Sequence, residues 1–253
     1  MNGKKLVFLL PIFALLVGCQ DPTGNVCFRF SFSVDGSALA QDTMAYQNAA
    51  GNIYEITEVQ YFISDVVITR DDGQQIAILS DRGAHYVDAD IPATLSWAPG
   101  DEIPAGNYTQ VSFVMGLAPA LNQPYFYPNP PENNMSWPLN MGGGYHHIKI
   151  NGRWMASSGT ITPFNMHIGT GQWYDDNGEI SSFVDNAVKI VLPLENFTID
   201  KKGVQSMHVE MQIDHWFDTP NVFNWDEIGG SIMQNQNAQE LLKANAWNVF
   251  CIY

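Results

Sequence analysis

Histidine is the residue type in this sequence with the clearest capacity for chemistry. Six histidines occur, and ten methionines add thioether groups. Imidazole and thioether are both donors that suit copper. The sequence contains no His-x-x-x-His, Cys-x-x-Cys or Met-x-x-Met run. Any metal site must therefore be assembled from separate strands, and the histidines available for it are His85, His146, His147, His167, His208 and His215.

The surroundings of four histidines favour different roles. His167 ends a predicted strand, where either a metal ligand or a ring bonded to nearby backbone fits. His85 precedes Tyr-Val-Asp, and the carboxylate of Asp88 is placed to orient its ring. His146 and His147 are adjacent, so in a strand they face opposite sides and at most one joins a given site.

The two remaining histidines follow the clearest alternating pattern in the chain. His215 continues the apolar face of the predicted strand 205–213, which favours a satisfied core histidine over a metal ligand. His208 lies on the polar face of that strand and is predicted to be solvated.

Residues 122–144 form an unusual segment rich in Pro, Asn and Gly. It carries the aromatic residues Tyr125, Tyr127 and Trp137. Long loops in compact domains are often functional, and exposed rings stack on sugars by burying apolar area. Two interpretations stay open: an aromatic platform for a glycan, or a plug that folds over an open end of the domain.

The elements that must position these residues are mostly strands. Short β-branched and aromatic segments bounded by turn residues predict strands at 26–34, 58–69, 85–88, 108–116, 144–150, 161–168, 187–194, 205–213 and 247–252. Asn or Asp followed by Gly predicts turns at 71–73, 151–152 and 176–178, and Lys-Lys-Gly another at 201–203. One helix is predicted, capped by Asn237 and ending near Asn245. The fold class is therefore all-β, an antiparallel sandwich with one short C-terminal helix.

The N-terminus has the pattern of a bacterial lipoprotein signal. Lys4 and Lys5 precede an apolar stretch, 6–17, that is too short to span a bilayer. Leu16-Val17-Gly18-Cys19 resembles a lipobox, in which the cysteine carries the acyl chains. We predict a signal peptide at 1–18, a lipidated tether at 19–25 and one domain at 26–253. Gln20 after the cysteine resembles outer-membrane sorting, so a lipid-anchored protein of the cell envelope is expected.

Charge and motif content exclude several function classes. The net charge is −15, with 26 acidic against 11 basic residues. Nucleic acid and anionic lipid surfaces both need Lys and Arg, so neither is a predicted partner. The sequence has no Gly-x-Ser-x-Gly elbow, P-loop or dinucleotide fingerprint. The acidic run 175–179 lacks the calcium-loop frame and is predicted to be a turn. A non-enzyme is predicted.

The cysteine positions predict a disulfide. With Cys19 acylated, Cys27 and Cys251 remain, one near each end of the domain. Outside the cytoplasm two such thiols usually pair. Both cysteines lie opposite the Phe face of their strands, as adjacent first and last strands allow. Two inert buried thiols are the alternative.

The order of several short motifs resembles that of a known family. The motifs are Tyr61-Phe62-Ile63-Ser64-Asp65-Val66, His85-Tyr86-Val87-Asp88, Ile103-Pro104-Ala105-Gly106-Asn107-Tyr108, Met135-Ser136-Trp137, Gly144-Tyr145-His146-His147-Ile148-Lys149-Ile150-Asn151-Gly152 and His167-Ile168-Gly169. This series resembles the MbnP-like family of bacterial periplasmic and surface copper-binding proteins, to which MopE and CorA are related. The resemblance covers residues 26–253.

The resemblance implies a β-sandwich that binds copper without catalysis by the domain itself. In some members a tryptophan is oxidised to kynurenine by a dihaem peroxidase-like partner and helps histidines to hold copper; Trp137 stands in the matching aromatic motif. The chain differs at Leu139, where a second tryptophan is often found. It also has no tryptophan two residues before a histidine.

Two functions follow from the sequence. The first is a cell-envelope lipoprotein that binds or sequesters copper, with ligands drawn from His85, His146, His147, His167 and His215 and Trp137 as a residue that oxidation can modify. The second is a glycan- or ligand-recognition lipoprotein that uses the aromatic residues of segment 122–144. A purely structural envelope lipoprotein is a third alternative.

Overall fold

The structure is a computed structural model that describes residues 22–253. The predicted signal peptide, the lipidation site Cys19 and the start of the predicted tether lie outside the described residues. None of the helices in residues 22–253 has the length and apolar character needed to cross a membrane.

Sixteen strands occur in residues 22–253, and two sheets contain most of them. In chain order they are β1 (Thr23–Val34), β2 (Ser37–Ala38), β3 (Tyr46–Gln47), β4 (Ile53–Arg70), β5 (Gln75–Ala77), β6 (Ala84–Asp88), β7 (Ser96–Trp97), β8 (Ile103–Pro104), β9 (Gly106–Met115), β10 (Ile148–Met155), β11 (Ile161–Ile168), β12 (Thr170–Tyr174), β13 (Ile180–Asp185), β14 (Val188–Ile199), β15 (Val204–Gln212) and β16 (Phe250–Ile252). The eight-stranded sheet has the order β11-β10-β4-β9-β14, with β3, β5 and β6 also on β4. The six-stranded sheet has the order β16-β15-β1-β2, with β7 and β8 also on β1.

The two sheets pack face to face around one main core. Alternation in β1 turns its Phe residues inward, where Phe30 and Phe32 meet Tyr61 of β4 at ring-centroid distances of 6.4 and 6.3 Å. Phe250 of β16 meets Phe113 of β9 at 5.3 Å. These edge-on aromatic contacts are a favoured geometry and add to the burial of apolar area. The predicted sandwich is confirmed, with one parallel pair, β1 and β15, among its antiparallel ladders.

The outer face of the eight-stranded sheet is covered by the segment 117–145. Phe62 points to this face because its neighbour Tyr61 points to the main core. Its ring stacks on Tyr127 at 5.5 Å and meets Tyr145 at 6.0 Å. A second small core results, formed by Phe62, Ala84, Tyr86, Leu117, Met135 and Tyr145. The plug interpretation is therefore corrected in position: the segment lies on a sheet face rather than over an open end.

Most predicted elements are present, with four differences. β10 begins at Ile148, so His146 and His147 lie before the strand that was predicted to contain them. The 151–152 turn is wrong, because β10 continues through Gly152, where a Cβ would lie 2.1 Å from the Glu55 carbonyl oxygen. The β12–β13 hairpin was not predicted. The helix, α2 (Gln236–Asn245), follows a four-residue helix, α1 (Trp225–Ile228), and its cap is Asn235, whose side chain accepts from the amide of Ala238, rather than Asn237.

The predicted disulfide between Cys27 and Cys251 is wrong. Both cysteines are free. Cys27 on β1 is opposite Ser206 of β15, and Cys251 on β16 is opposite Glu210 of that same strand. The two cysteines are thus separated by a whole strand, which is roughly 10 Å across the sheet, and also by the four-residue step from Ser206 to Glu210 along it, whereas a disulfide needs Cα atoms within about 7 Å.

Candidate metal centre

Two imidazoles and one indole meet where segment 117–145 joins the outer face of the large sheet. The ring of His146 lies 5.0 Å from that of His167, at an interplanar angle of 90°. It also lies 4.7 Å from the ring of Trp137, at 69°. We call these three residues the His146–His167 site. The structure therefore brings together three of the residues singled out in the sequence.

His167 is placed by the alternation of β11. Its neighbours Met166 and Ile168 are fully buried in the main core, so His167 points to the outer face. It is directly opposite Lys149 of β10. Its Nε2 atom lies 2.8 Å from the side-chain oxygen of Asn151, which is on the same strand and face as Lys149.

His146 is fixed by one carbonyl group. The Met135 carbonyl oxygen accepts from the backbone amide of His146 at 2.7 Å and from its Nδ1 at 2.9 Å. A carbonyl oxygen only accepts, so Nδ1 carries the proton and Nε2 carries the lone pair. That Nε2 atom is buried and has no hydrogen-bond partner in residues 22–253. An unsatisfied buried nitrogen of this kind destabilises a fold by about 1–3 kcal/mol.

Trp137 closes the site from the side of the segment. It is only 2% exposed, and its Nε1 donates to the Met141 carbonyl oxygen at 2.9 Å. The indole lies directly on Gly169, where a Cβ would come within 2.4 Å of the ring atom Cε3. This close approach is the physical reason for a glycine two residues after His167.

Burial keeps both imidazoles neutral. Burial, followed by the positive charge of a protonated His167 nearby, lowers the pKa of His146 from 6.5 to about 3. Burial, followed by the charge of Lys149, lowers the pKa of His167 from 6.5 to about 4. At neutral pH both rings therefore have a lone pair for a metal ion without proton competition.

The donor set of the site is small. In residues 22–253 no group of three or more His, Cys, Asp or Glu side chains is close enough to hold a metal ion. The His146–His167 site thus offers two neutral imidazole nitrogens and no anionic donor. Such a pair fits an imidazole-binding ion such as copper better than a hard cation that needs several oxygens.

Both nitrogens of His147 face groups outside the His146–His167 site. His147 has no exposed surface, and its Nδ1 accepts from the amide of Leu117 at 3.3 Å, so its Nε2 carries the proton. Nε2 faces Asp185 Oδ1 at 3.3 Å and, like Nε2 of His146, is a buried atom without a hydrogen-bond partner in residues 22–253. The contact with His147 is the main reason why the pKa of Asp185 falls from 3.8 to about 2. His147 therefore ties the β12–β13 hairpin to the segment and leaves no lone pair for a metal.

His85 lies in a separate aromatic stack. Its ring is parallel to Trp97 at 5.2 Å and to Phe30 at 5.5 Å, and its Nε2 lies 2.8 Å from the Thr94 carbonyl oxygen. The prediction that Asp88 orients this ring is wrong, because the Asp88 carboxylate faces the other side of β6 and accepts from Tyr86 at 2.7 Å.

His215 and His208 contact neither imidazole of the site. His215 lies in a short 3-10 turn, Ile213–Phe217, and is half-buried rather than part of the core, with Nδ1 2.8 Å from the Asn248 carbonyl oxygen. The fully buried positions of that turn belong to Ile213, Trp216 and Phe217 instead. His208 is also half-buried, and its Nε2 lies 2.9 Å from Ser31 Oγ.

The three rings proposed as a glycan platform do not form one. Tyr125 is 77% exposed, whereas Trp137 is buried in the His146–His167 site. Tyr127 is stacked on Phe62 in the second core. Only one of the three rings therefore offers an open face.

The sequence interpretation missed the residues that hold the two imidazoles. These are Met135, through its backbone, and the side chains of Asn151, Lys149 and Glu58. Asn151 was assigned to a turn, which concealed that it alternates with apolar residues in β10 and so shares a face with Lys149. The missed signal was the polar face of 148–155.

Comparison with known proteins gives two matches and one negative result. A sequence model of the family described as MbnP matches residues 23–235. A solved structure, MbnP from Methylosinus trichosporium, superimposes with a TM-score of 0.53 over 77% of this chain and 78% of that chain, at 15% sequence identity. At that identity the structural likeness shows a shared fold. Comparison with curated protein sequences finds no match.

Proposed function

Because this chain belongs to the MbnP family, we propose that it binds copper through the imidazoles of His146 and His167. One observation carries the proposal. The Nε2 lone pair of His146 is buried without a hydrogen-bond partner, beside a second neutral imidazole 5.0 Å away. A bound copper ion satisfies that nitrogen and offsets the free energy that its burial costs.

Copper is favoured over other ions on two grounds. Imidazole sites bind copper more tightly than the other divalent first-row metals, and an uncharged donor pair does not favour calcium or magnesium. The resemblance of the motifs to copper-binding proteins points to the same ion. The protein binds rather than transforms its ligand, so no catalytic role is proposed.

The place of Trp137 supports a secondary part of the proposal. Trp137 packs against a ligand imidazole, so an oxidised Trp137 would lie close to the bound metal. A dihaem peroxidase-like partner would have to carry out that oxidation. Intact mass and peptide mapping of protein from its native host test this directly. Unmodified Trp137 in copper-loaded protein would exclude the modification and leave the two imidazoles as ligands.

The cellular setting proposed is a lipid anchor at Cys19 that holds the domain at the envelope, in the outer membrane. The Cys19→Ala variant is expected to lose its acyl chains and to leave the membrane fraction. Retention of the variant in that fraction would contradict the anchor without affecting the copper proposal.

Copper titration against a competing chelator tests the main proposal. Wild type is expected to bind one copper ion, and His146→Ala and His167→Ala to weaken binding by more than about 100-fold, because even outer partners of metal ligands contribute 10–100-fold. His215→Ala and His208→Ala are the matched controls and should stay within about threefold of wild type. Equal losses in all four variants would contradict the assignment.

A further inference from the structure

We infer that Asn151 and Glu58 are positioning residues that make His167 present its Nδ1 atom to the metal, whereas His146 presents Nε2. The inference rests on the proposed copper site and deepens it, since it assigns which atom of each ring binds. Neither Asn151 nor Glu58 touches the metal; each acts through the ring of His167.

The carboxylate of Glu58 can only accept hydrogen bonds. The side-chain amide nitrogen of Asn151 donates to Glu58 Oε2. This bond turns the amide so that its oxygen faces His167, 2.8 Å from Nε2. An amide oxygen also only accepts, so Nε2 of His167 must carry the proton and donate. The lone pair of the neutral ring is then on Nδ1.

The carboxylate itself is held from the other side. Lys149 Nζ lies 3.9 Å from Glu58 Oε1 and donates to Gln60 Oε1 at 3.0 Å. Gln60 in turn donates through Nε2 to Asp88 Oδ2 at 3.1 Å, and the phenol of Tyr86 donates to the same oxygen at 2.7 Å.

These groups form a polar row across β11, β10, β4 and β6. Every hydrogen bond in it has one permitted direction, because ammonium and phenol ends donate and carboxylates accept. Fully satisfied networks of this kind specify one arrangement of their members. The polar row reaches the His146–His167 site at His167, which is directly opposite Lys149.

His146 is oriented by a backbone carbonyl group rather than by a side chain. The Met135 carbonyl holds its Nδ1 proton, so its free atom is Nε2. The two rings therefore reach the metal with different nitrogens, one set by a backbone carbonyl and the other by the Glu58–Asn151 pair. Outer partners that fix a tautomer in this way typically contribute 10–100-fold to metal affinity.

Long-range ¹H–¹⁵N NMR of histidine side chains in the metal-free protein tests the inference. His167 is expected to be the Nε2–H tautomer in wild type and a mixture of both tautomers in Asn151→Leu. Copper affinity of Asn151→Leu is expected to fall about 10–100-fold. Asn165→Leu is the matched control: Asn165 is exposed on β11 directly opposite Asn151, and its replacement should change neither readout.

Two conservative variants keep the test decisive if Asn151→Leu folds poorly. Asn151→Asp combined with Glu58→Gln exchanges the acceptor and the donor of that pair, retains an acceptor for Nε2–H and should keep the wild-type tautomer. Glu58→Gln removes the acceptor-only partner and should yield both tautomers. An Nδ1–H tautomer for His167 in wild type, or an unchanged tautomer and affinity in Asn151→Leu and Glu58→Gln, would overturn the inference. A wild type that binds no copper but shows the Nε2–H tautomer would contradict the proposed function instead.

Discussion

Two regions of this protein place a histidine against a tryptophan, and they do so in different ways. His85 lies flat against Trp97, with an interplanar angle of 8°, and its Nε2 is satisfied by a backbone carbonyl. His146 meets Trp137 edge-on at 69°, and its Nε2 has no partner in residues 22–253. A second imidazole stands beside His146 and none beside His85.

The difference separates a structural histidine from a candidate ligand. Burial lowers the pKa of both rings, so neutrality alone does not distinguish them. What distinguishes them is a buried ring nitrogen without a partner. At His85 Nε2 donates to the Thr94 carbonyl oxygen and neither ring nitrogen is such an atom, whereas Nε2 of His146 is one in residues 22–253 and lies beside a second imidazole. The predictions below test this contrast from its largest effect to its smallest.

The Trp97 region is predicted to stabilise the fold. Trp97→Ala should lower the free energy of unfolding by about 3–5 kcal/mol, because it deletes a buried ring that stacks on Phe28 and His85. Chemical denaturation measures this. Trp247→Ala is the control, since Trp247 is 67% exposed and should change stability by less than about 0.5 kcal/mol. A loss of stability below 1 kcal/mol for Trp97→Ala would contradict a structural role for the contact between Trp97 and His85.

The His146 region is predicted to respond to copper. At a free concentration of about 100 times Kd, copper should raise the free energy of unfolding of wild type by about 2.7 kcal/mol. His146→Ala should lose this increment, and His85→Ala should keep it despite a lower starting stability. Denaturation with and without copper measures both. An increment lost equally in the two variants would show that the two histidines do not differ in function.

Both regions should contribute to the pH dependence of stability, whereas only the His146–His167 site should contribute to the pH dependence of copper binding. Below pH 6.5 the unfolded chain gains protons on all these histidines, whereas the folded rings resist protonation until about pH 4 for His167 and about pH 3 for His146. Stability should therefore fall as pH drops from 6.5 towards 4. This slope should decrease in His146→Ala and also in His85→Ala, whose ring is likewise kept neutral by burial.

Copper binding should depend on pH through the His146–His167 site alone. Because both ligand rings stay neutral, copper affinity should be nearly constant from pH 7 to 5 and should fall below about pH 4. Competition titrations at several pH values measure this. A tenfold loss of affinity for each pH unit below 6.5 would mean that the ligands are ordinary solvated imidazoles.

The smallest effect is expected at Tyr125, the exposed ring of segment 117–145. Tyr125→Ala should change stability by less than about 0.5 kcal/mol and leave copper affinity unchanged. Its ring is 77% exposed, and Tyr125 lines an open surface cavity together with Trp137. A clear loss of binding to a sugar in this variant would revive glycan recognition as a second function.

The sequence predicted the sandwich well because strand signals are local. Alternation in 205–213 and the Phe run of β1 require one buried face, and the structure pairs these two strands directly. It could not predict which strands pair. β15 lies between β1 and β16, which is why the argument for a Cys27–Cys251 bridge failed.

The candidate site was predictable in its members but not in its grouping. His146, His167 and Trp137 were all singled out, yet nothing in the sequence shows that these three residues meet while His85 lies elsewhere. The grouping depends on segment 117–145 folding back onto the sheet and on the Met135 carbonyl oxygen, which no side-chain pattern reveals. Asn151 was missed because Asn-Gly is a strong turn signal, here overridden by the close approach of Gly152 to Glu55.

X-ray absorption spectroscopy of the copper-loaded protein tests the central claim most directly, because imidazole rings give a characteristic outer-shell scattering. Wild type should show two imidazoles on copper, and His146→Ala and His167→Ala should each show at most one. His85→Ala should show the wild-type spectrum. An unchanged imidazole count in the His146→Ala and His167→Ala variants, or its loss in His85→Ala, would contradict copper binding at the His146–His167 site.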